Sequence, residues 1–218
     1  MMKICKIVLL FIVFFGFANA QDKEKRFELG PTLFTVNSLS KTYYSIIDRP
    51  FIEYSNGLFF RYNKKRISFR AVISYNESYF KYYAPPGCFD CTSGESGNKD
   101  FRAGVGFQYS LLKKKNVLYA FSDLAYRNVF SSGFVYGGIA GLNNSFSSST
   151  NGIDGLLGMG LKLKLFEDIF LLPELGYNIF YGDVNYSTSH LIYGNPKRFH
   201  YIEGNMKPVA KLHLTVRF

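Results

Sequence analysis

Residues 211–218 read KLHLTVRF, and the reading of this stretch decides the fold. Leu212, Leu214, Val216 and Phe218 alternate with Lys211, His213, Thr215 and Arg217. Successive side chains of a strand point to opposite faces, so this segment has one apolar face and one polar, mostly charged face. The apolar face must be covered by a core or by lipid.

The same period of two runs back through the chain. It predicts strands over Arg26–Val36, Ile52–Asn63, Arg66–Asn76, Asp100–Leu111, Val117–Asn128, Asp154–Leu165 and Asp168–Tyr181, with 211–218 as the eighth. One face carries large apolar residues at nearly every step, such as Phe101, Val105, Phe107 and Tyr109. The other carries Gly, Ser and single charges, such as Arg102, Gly104, Gly106 and Gln108. In the first strand the apolar face is Phe27, Leu29, Pro31 and Leu33.

The connections alternate in length. Residues 63–66, 113–116 and 166–168 are tight and charged, whereas 37–51, 77–99, 129–153 and 182–205 are long and rich in Ser, Asn, Gly and Tyr. A transmembrane barrel places short turns on the periplasmic side and long loops outside. A sandwich or lipocalin has no reason to do so. The interior of eight strands holds about one layer of side chains, so the bulky face belongs outside, against lipid, and the small face belongs in the lumen. Tyr54, Tyr62, Tyr75, Tyr109, Tyr126, Tyr177 and Tyr181 are expected at strand ends, as an interfacial girdle. The fold expected is an all-β, eight-stranded antiparallel transmembrane up-and-down β-barrel.

Composition agrees. Aromatics are 18% of the residues, with 17 Tyr and 23 Phe, which suits a chain needing amphipathic anchors at an interface. Residues 1–20 read MMKICKIVLLFIVFFGFANA: Lys3 and Lys6, an apolar run over 7–15, then Ala18-Asn19-Ala20. This is the layout of a secretory signal peptide, with Gln21–Phe218 as the exported domain. No later apolar run is long enough for a spanning helix. The formal net charge is +10. For an exported chain that excess points to anionic lipid or lipopolysaccharide as the counter-charge and not to nucleic acid.

The closing pattern resembles the C-terminal signature of bacterial outer-membrane barrels, with Leu212, Leu214, Val216 and Phe218 at its matching positions. That resemblance implies that the barrel assembly machinery reads these residues during insertion. The Ala-Asn-Ala ending before Gln21 resembles that of Bacteroidetes exported proteins. The exported chain as a whole resembles the small eight-stranded, OmpA-like outer-membrane class.

The predicted lumen carries Glu28, Glu53, Asp123 and Glu174 against Arg61, Arg70, Arg102, Arg127, Lys162, Lys164, His213 and Arg217. Buried charges must be paired or hydrated. A network that plugs the bore is expected, and a narrow pore is the alternative. Cys88 and Cys91 stand in a Pro/Gly/Ser stretch, PPGCFDCTSGESGN, without a helical pattern and without nearby His or further Cys. In an oxidising compartment they are expected to form a local disulfide, and not a redox pair or metal site.

A barrel-borne lipid hydrolase would need Ser, His and a carboxylate within reach. Ser187, Ser189, His190, His200 and Glu203 supply the types. Ser189 and His190 are adjacent, so they point to opposite faces of an extended segment, and no catalytic residue is assigned. No metal and no cofactor is expected. The role expected is structural or surface-binding through external loops, by a monomer, with a surface glycan or protein as ligand. A soluble lipocalin-like ligand-binding barrel is the alternative at the level of fold.

Overall fold

The computed structural model describes residues 25–37, 51–112, 117–138, 142–190 and 197–218. The segment 1–20 expected as a signal peptide, most of the connection expected at 37–51 and the tight connection expected at 113–116 lie outside them. Nine strand elements follow in chain order: β1 (Phe27–Asn37), β2 (Phe51–Lys64), β3 (Ile67–Tyr82), β4 (Thr92–Ser110), β5 (Leu118–Gly137), β6 (Leu142–Leu161), β7 (Leu163–Lys164), β8 (Ile169–His190) and β9 (Lys197–Arg217).

Neighbouring strands pair antiparallel in the order β6-β5-β4-β3-β2-β1-β9-β8-β7, and β6 also pairs with β8. That last pairing closes the sheet into a ring. The ring is all-β and antiparallel, and among the described residues it holds nine strand elements where eight strands were expected. The ninth element, β7, is two residues long. It follows a break at Lys162, whose backbone N–H turns to Val117 O at 2.6 Å. β9 lies between β1 and β8, pairing Leu214 with Leu171 and Val216 with both Leu29 and Ile169. The backbones of Phe27 and Phe218 exchange two hydrogen bonds of 3.0 and 2.9 Å, and their rings stack at 6.1 Å.

The strands run well past their expected ends. β5, β6, β8 and β9 are 20, 20, 22 and 21 residues long. Three segments expected as long loops, 77–99, 129–153 and 182–205, are mostly paired strand. Ser148 sits opposite Tyr186, Ser131 opposite Ser148, and Asn98 opposite Ser78. Ser, Asn and Gly have low intrinsic strand preference, but cross-strand pairing satisfies every backbone group and overrides it. Ser78, Asn98 and Ser131 are buried inside the ring, so their polarity reports a partly polar interior and not a loss of strand.

β1 also corrects the expected face. The register shifts between Thr32 and Phe34: Leu33 is an extra residue against β9, and against β2 the extra residue lies on β2 between Tyr54 and Gly57. Beyond it the inward position is Thr35, which is 4% exposed, after Thr32 at 2%.

Candidate functional site

Inside the ring the inward side chains form three stacked polar tiers. At the end that holds the tight turns, Glu28 of β1 is fully buried and accepts from Arg61 Nη2, from Lys162 Nζ at 2.6 Å and from Asn63 Nδ2 at 2.7 Å. Arg61 also donates to Gln108 Oε1 at 3.0 Å. The break in strand pairing at Lys162 is where its ammonium turns in to Glu28.

The middle tier is built on Arg70 of β3 and Glu174 of β8. Two parallel bonds of 2.8 Å join Arg70 Nη1 and Nη2 to the two Glu174 oxygens. This fork-on-carboxylate geometry is the strongest form of the ion pair. Tyr119 Oη donates to Glu174 Oε1 at 2.8 Å, and His213 Nε2 lies 3.3 Å from Oε2. The other His213 nitrogen, Nδ1, is 3.0 Å from Thr32 Oγ1. Asp123 Oδ1 lies 2.8 Å from Arg70 Nε. The Arg70 guanidinium is held between two rings, 4.9 Å from the centroid of Phe59 and 4.3 Å from that of Phe121. Tyr119, Phe59, Phe121, Leu156, Leu172 and Val209 form one buried apolar cluster around this tier.

The upper tier is Asp100, which accepts from Arg127 Nη2 at 2.7 Å and from Arg102 Nη2 at 3.0 Å. Arg102 also reaches Asp154 Oδ2 at 3.4 Å. Arg127 lies over the Phe180 ring at 5.4 Å.

Small residues make this filling possible. A Cβ on Gly160 would meet the Tyr119 ring at 2.5 Å, and one on Gly158 would meet Phe121 at 2.8 Å. Between the middle and upper tiers there remains a cavity of about 30 Å³, flanked by Asp123, Asp154, Asn178 and Lys211. That is space for roughly one or two waters.

Of the residues expected in the lumen, Glu28, Arg61, Arg70, Arg102, Asp123, Arg127, Lys162, Glu174 and His213 join these tiers. Arg217 sits at the rim instead, donating to Asp168 Oδ1 at 3.2 Å. Lys25 donates to the same carboxylate. The Lys25 hydrogen bond, with that of Arg217, holds the Asp168 carboxyl below the usual carboxylate range. Lys164 is exposed at the rim, in β7 opposite Phe170, and joins none of the tiers. Glu53 pairs in register with Thr35, and its side chain lies outside the described residues.

Sequence reasoning missed Asp100, Asp154, Phe59 and Phe180, and it placed Gln108 on the lumen face without pairing it with Arg61. Each shares its parity with an inward neighbour, Asp100 with Arg102 and Phe59 with Arg61, so the signal was present. Asp100 and Asp154 stood at the ends of strands drawn too short.

Cys88 and Cys91 are joined by a disulfide in the β3–β4 connection, with Cα atoms 5.5 Å apart. The hydrolase candidates do not converge. His200 contacts Asp183 on the outer face, while Glu203 has the opposite parity on β9. The side chains of Ser189 and His190 lie outside the described residues.

No protein-family model matches the chain, and no curated protein matches it. Among solved structures the chain is similar to CarO2 of Acinetobacter baumannii, at 11% identity and a TM-score of 0.46, over 89% of this chain and 100% of that one. It is also similar to CarO of Acinetobacter baumannii, at 9% identity and a TM-score of 0.43, over 86% and 98% of the two chains. The functional reading rests on this chain's own residues.

Proposed function

We propose that this chain is an OmpA-like, eight-stranded outer-membrane β-barrel with a sealed lumen. Its role is structural or surface-binding, carried by the strand extensions at the end away from the tight turns. The observation that carries the reading is a belt of outward apolar side chains that ends along the strands. Val105, Leu124, Leu157 and Leu175 are more than half exposed. A contiguous exposed apolar surface on this scale needs a non-aqueous partner.

Its upper limit is marked by Tyr75 opposite Phe101, and by Tyr126, Ile153 and Tyr181 side by side. Two steps beyond Tyr75 and Phe101 the outer face reads Glu77 and Lys99, which form an ion pair at 3.7 Å. On β8 the step after Tyr181 is Asp183. A tilted strand needs roughly 9–11 residues to cross a bilayer, so strands of 20 to 22 residues extend well beyond it.

The tight turns then face the periplasm, and the upper strands face out of the cell. Phe130, Phe134 and Tyr136 are exposed on β5 beside the outward Ser145, Ser147 and Ser149 of β6. Aromatic faces next to hydroxyls suit a glycan or protein ligand. The other partners are outer-membrane lipid and lipopolysaccharide around the belt, and the barrel assembly machinery during insertion through Leu212, Leu214, Val216 and Phe218. The protein acts as a monomer. The lumen does not conduct, because Arg70 is clamped between Glu174 and two rings at mid-height.

Planar-bilayer recording of the purified chain tests this. The expected trace is flat. Regular large conductance steps would overturn the sealed lumen.

A further inference from the structure

At the tight-turn end the ring opens into a concave cavity of about 400 Å³, lined by Lys25, Arg26, Arg61, Lys65, Lys162 and Arg217 together with Glu28. Glu28 is the one carboxylate among these lining residues, and Asp168 lies beside them. Glu28 holds Arg61 and Lys162, and Asp168 holds Lys25 and Arg217. Lys65 makes no ion pair among the described residues.

A second observation shows the same shortage. Lys162 and Arg217 both lie over the one buried Phe170 ring, 4.1 and 5.2 Å from its centroid. A cation seeks a ring face where anions are few. A concave site with low-dielectric walls and one sign of excess charge concentrates ions of the opposite sign. The volume holds roughly a dozen waters, and so has room for a small polyanion. Arginine forks beside lysine point charges match phosphate oxygens.

We propose that this mouth is a binding site for a phosphate-bearing small anion. The ligand is either a free phosphate compound or the headgroup of a phosphorylated lipid. The ring itself forms the site, so it stands or falls apart from the membrane reading.

The test uses the full exported chain in a zwitterionic detergent, titrated calorimetrically with pyrophosphate. Wild type is expected to bind. The double variant Lys65→Asn/Arg217→Gln is expected to bind at least about tenfold more weakly, the loss of charge-assisted contacts. Lys81→Asn, at the opposite end, should bind as wild type does. A second arm reconstitutes the chain with phosphatidic acid and measures retained lipid by native mass spectrometry. Pyrophosphate binding that the double variant weakens supports a free anion. Retained phosphatidic acid that the double variant loses, without pyrophosphate binding, supports a lipid headgroup. Pyrophosphate binding equal in wild type and double variant, or no binding of either ligand, overturns the site. Should the double variant fail to fold, Lys65→Asn alone carries the comparison. Lys65 sits in a turn at φ 57°, a conformation that Asn adopts readily.

Discussion

The two halves of the ring are built inside out with respect to each other. In the half with the tight turns, β5 points Asp123 and Arg127 inward and Leu124 and Tyr126 outward. In the other half the inward side chains include Val135, Phe146, Val184 and Tyr186, with Val135, Phe146 and Tyr186 in one cluster. The outward ones there include Ser145, Ser147, Ser149, Asp183 and Asn185, beside the aromatic Phe130, Phe134 and Tyr136 of β5. Strand parity never changes along β6, yet the chemistry of its outer face passes from Leu157 and Met159 to Ser147 and Ser149. A strand has two faces throughout. On the proposed membrane reading, which of them is apolar follows from the medium outside it: hydrocarbon around the lower half and water around the upper.

The inversion also explains why the lower interior must be charged and paired while the upper one need not be. With the large apolar face turned outward, the lower core is built of ion pairs packed against the buried cluster of Phe59, Tyr119 and Phe121. Removing one partner of such a pair leaves the other buried and uncompensated. Glu174→Ala, which removes both forked contacts of Arg70 and leaves it Asp123 alone, is therefore expected to lower stability by about 3–5 kcal/mol. The measurement is urea unfolding in detergent, and conductance should stay near zero. A loss below about 1 kcal/mol would mean that the middle tier does not hold the lower half together.

The next contrast compares one substitution at two places on β6. Leu157→Lys puts a charge on the lipid face and is expected to cost about 2–4 kcal/mol near mid-bilayer. Ser147→Lys, on the same face of the same strand, should stay within about 0.5 kcal/mol of wild type. Equal effects at the two positions would remove the boundary between the halves.

Gly160→Ala places a methyl group where the Tyr119 ring now lies. Pushing that ring off Glu174 should cost about 1–3 kcal/mol, read from the midpoint of the heat-induced gel shift in SDS. Gly155, whose added Cβ would meet only Ile179 O at 3.7 Å, serves as the control.

The smallest effect belongs to the upper tip. Glu95 accepts from Tyr79, and Lys81 lies 3.3 Å away. The Tyr79 hydrogen bond, with Lys81, holds the Glu95 carboxyl below its ordinary value. A depressed carboxyl contributes above its unfolded value and loses that contribution as pH falls through the folded one. The contact should therefore be intact at neutral pH and weaken only under acid conditions below the usual Glu range. Amide exchange at Tyr79 and Lys81 should accelerate there by a small factor, and Glu95→Gln should abolish the pH dependence.

The lower half was legible in the sequence because its alternation is strong. Phe101 to Tyr109 and Leu157 to Leu165 announce both strand and face. The upper half was not. SFSSSTN over 145–151 has a weak period of two and low strand propensity, so it reads as a loop. Only long-range pairing with 128–134 and 183–189 makes it a strand. The bulge at Leu33 and the break at Lys162 were also invisible, since each depends on neighbours far away in sequence. The charged tiers were legible as a set of inward charges but not as partners. Nothing local joins Arg70 to Glu174, which lie across the ring from one another.

Cysteine labelling in liposomes tests the inversion most directly. Leu157→Cys and Ser147→Cys, each in the disulfide-intact chain, would be challenged with a membrane-impermeant maleimide. A lipid-soluble quencher would then be applied to a fluorophore at each position. The account predicts fast maleimide labelling at 147, none at 157, and quenching from within the bilayer at 157 alone. Fast labelling at both positions, with no quenching at either, would contradict it.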